Sequence, residues 1–93
     1  MLKVNEYFEG AVKSIALDNE EGNATIGVME SGNYEFGTAT IEIMTVTSGS
    51  LDVLLPGESE WKNYGKGESF RLEKDVRFKV KANGQVAYHC LYL

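Results

Sequence analysis

The sequence predicts an all-β domain, a sandwich or barrel of short strands, on three observations. Apolar and polar residues alternate along short runs, and turn residues punctuate those runs at regular spacing. No stretch keeps the helical apolar period long enough to argue for a helix. A chain of 93 residues supports one hydrophobic core, so residues 1–93 read as a single domain without linker, repeat or low-complexity tract.

The strands follow in order. Val12–Leu17 (VKSIAL) ends in the polar turn DNEEGN, and Ala24–Met29 (ATIGVM) ends at ESGN. Tyr34–Thr40 (YEFGTAT) leads into Ile43–Ser48 (IMTVTS), and Gly49 turns the chain into Leu51–Leu55 (LDVLL), which Pro56-Gly57 stops. After WKNYGKG, read as a connection, come Ser69–Leu72 (SFRL) and Val76–Ala82 (VRFKVKA). Asn83-Gly84 reads as a hairpin turn into a last strand near Val86–Leu93, because both residues tolerate positive φ.

Strand alternation assigns faces, since neighbouring side chains point to opposite sides. Val76, Phe78 and Val80 share an apolar face, with Arg77, Lys79 and Lys81 on the wet one. Asp52 marks the outer face of its strand and turns Leu51, Val53 and Leu55 inward, while Phe70 and Leu72 point inward opposite Arg71. By the same parity Glu42 travels with Met44 and Val46, opposite Thr45 and Thr47. A carboxylate on a core-facing row is the unusual feature, because a buried carboxylate is rare without a partner.

Composition excludes several classes of function. Apolar residues make up 43% and charged residues 25%, which suits a globular domain and not a disordered chain. Nine basic against fourteen acidic residues leave a net charge of −5, which disfavours a nucleic acid or an anionic membrane as partner. No apolar run approaches the roughly 20 residues that cross a bilayer, and MLKVNEYFEG lacks the apolar run of a secretory signal. Cys90 is the only cysteine, so no internal disulfide forms and a reducing, cytoplasmic setting is expected.

Glu42, six residues and Gly49, followed by LDVLL, resemble the end of the first cupin motif, and GKGESFRLEKDVRF resembles the second. The resemblance implies a double-stranded β-helix, a jelly-roll-like barrel. Metal-binding cupins carry two histidines shortly before the Glu and one in the second motif. Here Glu35, Phe36, Gly37 and Thr38 precede Glu42, and the last histidine position falls near Phe78. One carboxylate does not hold a transition metal, which needs three or four convergent donors, so no metal and no cofactor are expected.

The likeness extends over nearly the whole chain. NEYFEG, GVM, YEFGTA, the MTVTSGSLDVLLP block, the Trp61/Tyr64 pair and the closing YHCLYL resemble the small single-domain cupins known as pyrimidine/purine nucleoside phosphorylases. That resemblance implies phosphorolysis of purine and pyrimidine nucleosides to free base and pentose 1-phosphate, with phosphate as co-substrate. It also implies a homodimer.

Such a reaction passes through a sugar with oxocarbenium character. Glu42 is the candidate catalytic residue, serving the developing cation, the ribose hydroxyls or the departing base. Tyr34, Phe36, Phe78 and Tyr88 are candidates for an aromatic wall, with Met44 on the row of Glu42 and Thr38 adding a hydroxyl. Stacking suits broad base tolerance because every base has a π-face. Phosphate has no evident interior cation, since Arg71, Arg77, Lys79 and Lys81 face outward. Backbone N–H groups in a turn, hydroxyls such as that of Thr38, or a dimer partner remain as its binders. The same residues also support plainer readings: the aromatic set as core, His89 as a structural or surface residue, and Cys90 as a small buried apolar side chain. A non-catalytic cupin that binds a small metabolite such as a nucleoside is the alternative function.

Overall fold

The computed structural model describes residues 1–93 as ten strands in two antiparallel sheets. The strands are β1 (Val4–Tyr7), β2 (Val12–Asn19), β3 (Gly22–Met29), β4 (Gly32–Gly37) and β5 (Glu42–Ser48). They continue with β6 (Ser50–Leu54), β7 (Lys62–Gly65), β8 (Ser69–Leu72), β9 (Arg77–Ala82) and β10 (Val86–Tyr92). The larger sheet has the order β1-β2-β3-β10-β5-β8 and the smaller β4-β9-β6-β7. No helix is long and apolar enough to cross a membrane.

The chain changes sheet repeatedly from β3 onward, as a jelly roll does, and the two sheets face each other without closing through a continuous hydrogen-bonded ladder. The core lies between them. Val12, Met29, Met44, Val46, Phe70, Leu72, Val86, Tyr88 and Cys90 come from the larger sheet. Tyr34, Leu51, Val53, Phe78, Val80 and Ala82 come from the smaller one. Parity holds along these strands: Glu42, Met44 and Val46 are buried, Thr45 is half-buried and Thr47 exposed.

Three local expectations change. WKNYGKG is not only a connection, because Lys62–Gly65 forms β7 and pairs with β6 from Ser50↔Gly65 to Val53↔Lys62. A further strand, β1, precedes the first expected one and pairs with β2. Asn83-Gly84 makes the turn, with Gly84 at φ 80°, but β9 and β10 do not pair. Beyond that turn Val86 enters the core of the opposite sheet, so the bend carries the chain between layers and closes no hairpin. The Gly49 corner between β5 and β6 packs against this crossing. A Cβ at Gly49 would stand 2.8 Å from the Gln85 carbonyl oxygen, and its φ of 86° favours glycine independently.

Candidate functional site

A cavity of about 400 Å³ opens between the sheets, a volume within the small-molecule range of about 300–1,000 Å³. Its two walls differ in chemistry. The larger sheet supplies the polar floor: Ser14 from β2, Glu42 and Met44 from β5, and Tyr88, Cys90 and Tyr92 from β10. The smaller sheet supplies Glu35, Phe36 and Gly37 of the edge strand β4, with Phe78 of β9. Tyr7 and Phe8 complete the lining from the N-terminal segment.

Strand pairing explains the floor. Tyr92 stands opposite Glu42 and Cys90 opposite Met44 across the β5–β10 ladder, so alternate residues of both strands enter one space. The Cys90 Sγ donates to Glu42 Oε1 at 3.2 Å, and both side chains are buried. The Tyr92 hydroxyl pairs with Thr25 Oγ1 at 3.0 Å. Tyr88 lies over Gly27, its register partner on β3, where any Cβ would overlap the phenol ring. Gly27 is therefore what lets the ring lie down on the sheet.

Burial raises the proton affinity of every acidic group on this floor, because the charged form loses water. It lifts the Glu42 carboxyl above its ordinary value, opposed by the Cys90 hydrogen bond. Tyr88 is pushed up to about 12, chiefly by burial, with neighbouring acidic groups adding and the Ser14 hydroxyl opposing. The Cys90 thiol moves up by burial and then by the Glu42 charge, which argues against a reactive thiolate. Tyr92 moves up for the same first reason. No Lys or Arg of this chain forms a salt bridge with Glu42.

The opposite wall is a chain of rings. Phe36 lies 5.8 Å from Phe78 between centroids, and Phe78 lies 6.3 Å from Phe70. Phe8 packs edge-on to Phe36 at 5.5 Å and against Tyr34 at 5.0 Å. Phe8 gets there through a left-handed bend: φ is 53° at Phe8, 57° at Glu9 and 88° at Gly10. Two consecutive non-glycine residues in that region cost about 1–3 kcal/mol each, and the ring contacts of Phe8 help to hold them.

At the rim, Arg77 Nε donates to Glu35 Oε2 at 2.7 Å. This hydrogen bond and the guanidinium charge hold the Glu35 carboxyl below its ordinary value, with Lys79 adding to the effect. Arg77 stands opposite Gly37 across the β4–β9 ladder.

Glu42, Met44, Phe36, Phe78 and Tyr88, singled out from the sequence, all line this one cavity. Tyr34 does not: it is buried behind Phe8, and its hydroxyl donates to the Glu30 carbonyl at 2.7 Å. Thr38 is also buried outside the lining. Its hydroxyl donates to the Glu73 carbonyl at 2.7 Å and accepts from the Val76 N–H at 3.1 Å, tying the end of β4 to the segment before β9. His89 faces outward, half-buried, between Ile26 and Thr45. Tyr7, Phe8, Ser14, Glu35, Gly37, Cys90 and Tyr92 also line the cavity and carried no site role in the sequence reading. Parity with Tyr88 and Cys90 was the available signal for Tyr92; only the fold brings in Tyr7, Phe8 and Ser14.

The metal-bearing version of this fold does not fit these residues. No group of three or more His, Cys, Asp or Glu side chains comes together, and the cavity offers one buried carboxyl beside a protonated thiol.

Relatives agree with this architecture. A solved cupin of the RmlC-like type from Shewanella frigidimarina matches at a TM-score of 0.75 and 19% identity, over 97% of this chain and 81% of that one, which supports the fold alone. A solved protein of unknown function from Vibrio parahaemolyticus matches at a TM-score of 0.95 with 41% identity, over 100% of this chain and 99% of that one. A pyrimidine/purine nucleoside phosphorylase from Shewanella halifaxensis is 54% identical over 92 residues, 99% of each chain. The family model described as pyrimidine/purine nucleoside phosphorylase matches residues 2–92, and the chain belongs to that family.

Proposed function

We propose that this protein is a nucleoside phosphorylase acting on purine and pyrimidine nucleosides, a pentosyl transfer to phosphate. The observation that carries the reading is the pairing of a buried carboxyl that has no cation partner with an aromatic wall across one cavity. Family membership supports the same conclusion. In the reaction the C1′–N bond breaks with its electron pair on the base, a phosphate oxygen forms the new C1′–O bond, and the base takes up a proton.

Glu42 is the candidate catalytic residue. Ionised, it places negative charge where the sugar becomes positive, and in a poorly solvated site that charge acts strongly. Phe36 and Phe78 offer ring surfaces for the base, with Met44 and Tyr88 across the cavity. Stacking tolerates purines and pyrimidines alike. Tyr34 and Thr38 support the wall from outside the cavity and are assigned no contact with substrate. The side chains present form no metal centre, so the reading assigns no metal or other cofactor a part.

The reading includes a cytoplasmic homodimer. Its support is the outer face of the larger sheet, where strand register sets Ile15 beside Ile26 and Ile43 beside Leu91. Ile15, Ile26 and Val28 are 41%, 44% and 49% exposed, an apolar patch that a second copy would cover. Free base released from a nucleoside only when phosphate is present tests the activity. Binding of nucleoside with no phosphate-dependent release would replace it with a non-catalytic binding role.

A further inference from the structure

Phosphorolysis needs a place for phosphate, and the cavity floor is unsuited to it. Glu42 would repel the anion, and its neighbours there, Ser14, Met44, Cys90 and two tyrosines, include no cation. The rim differs. Strand β4 is the edge of the smaller sheet, and Gly37 is its last residue. The Arg77 guanidinium extends across this glycine, with Nη1 3.4 Å from the position a Cβ would take. Arg77 lies outside the cavity lining, in an adjoining groove that shares Glu35 and Phe78 with the cavity, so the guanidinium stands beside its mouth. Glu35 engages Nε at 2.7 Å, and the terminal guanidinium nitrogens make no hydrogen bond within the chain. They present the planar fork that suits a phosphate oxygen pair.

We propose that Arg77 is the phosphate-binding residue, holding phosphate at the cavity rim through its terminal amino groups while Glu35 orients the guanidinium through Nε. The inference rests on the phosphorolytic reading above. In the forward direction the ligand is inorganic phosphate; in reverse it is the phosphoryl group of the pentose 1-phosphate.

The test compares Arg77→Ala, Arg77→Lys and, as a neighbour on the same outer face, Lys79→Ala. Arg77→Ala should raise KM for phosphate about tenfold to a hundredfold, the scale of a lost charged hydrogen bond. The nucleoside KM should stay within about threefold, because uniform binding of one substrate is removed and that of the other is not. Pentose 1-phosphate should lose affinity in reverse, free base should not, and Arg77→Lys should recover part of the loss. An unchanged phosphate KM in Arg77→Ala overturns the assignment, as does an equal rise in Lys79→Ala, which would indicate a diffuse field. Should the wild type release no base with phosphate, the phosphorolytic reading fails separately. Calorimetric titration with inorganic phosphate then decides the subsite: binding that Arg77→Ala abolishes upholds it, and no binding or equal binding in both proteins overturns it. Arg77 is exposed, so unchanged melting of the variants is the expected folding control.

Discussion

Replacing Glu42 by Gln should slow the reaction and stabilise the protein together. Gln keeps the side-chain volume and an oxygen that accepts from Cys90 Sγ, now 3.2 Å from the carboxyl, and removes only the ionisable group. Losing one electrostatic group aimed at developing charge lowers kcat about a hundredfold or more, roughly 2.7–4 kcal/mol. Stability moves the other way. The native carboxyl binds its proton more tightly than the unfolded value of 4.5, so protonation favours the native state below that value. That contribution is lost as pH rises through the native pKa, leaving a buried charge that Gln lacks. The melting advantage of Glu42→Gln over wild type should therefore be small at pH 4 and grow toward pH 7. An advantage on the order of 1 kcal/mol corresponds to about 4–8 °C in a domain of this size. The acid limb of wild-type kcat/KM that Glu42 contributes should likewise sit above 4.5 and vanish in the variant. Steady-state base release and thermal melts across pH measure all of this. A folded variant with kcat within a few-fold of wild type, or one less stable than wild type at pH 7, would refute the reasoning.

Gly27→Ala should force the Tyr88 ring off β3, because the new Cβ overlaps it; near-ultraviolet circular dichroism should change and nucleoside KM should rise at least several-fold. Ile26→Glu, placed on the exposed apolar face, should shift sedimentation from about twice 10.3 kDa to the monomer mass if two copies meet there, and a wild type that sediments only as monomer removes the dimer. Chelation followed by gel filtration should leave activity within about twofold, since the side chains present fall short of the three or four donors a metal needs; activity lost to chelator and restored by a metal would reverse that expectation.

The sequence displays what strand parity encodes. Strands β5, β6, β8 and β9 each bury one face, so their alternation is legible, and it carried Glu42, Met44 and Phe78 to the interior before any coordinates. Strands β1 and β7 contain no buried residue, so VNEY and KNYG show no apolar rhythm to read. Thr38, expected to add a hydroxyl to the site, is buried outside it. Parity did not reveal that the strand ends at Gly37 and that the hydroxyl serves the backbone at Glu73 and Val76. Turn residues mark where the chain bends but not which layer it joins next, which is why Asn83-Gly84 read as a hairpin. Tyr7, Phe8 and Ser14 reach the cavity only through the β1–β2 pairing and the left-handed bend that follows β1. Those are facts of tertiary structure.

The positions where metal-binding cupins carry histidines hold other side chains here. Glu35, Phe36, Gly37 and Thr38 stand ahead of Glu42, and Phe78 stands near the last histidine position. All of these except Thr38 line the cavity with Glu42. The Phe36 and Phe78 rings lie 5.8 Å apart, and the Arg77 guanidinium lies close to the bare Cα of Gly37. With no metal centre formed by the side chains present, the carboxyl that would share a cation is left buried without one, and burial raises its pKa. A carboxylate in that state gains most when positive charge develops beside it, which is the electrostatic condition for a ribosyl cation. On the proposed reading these residues offer ring surface for a base, a carboxyl without a cation partner and a guanidinium beside the mouth. The ring surface rests on Phe36 and Phe78, the carboxyl on Glu42 and the guanidinium on Arg77, so substitution separates the three.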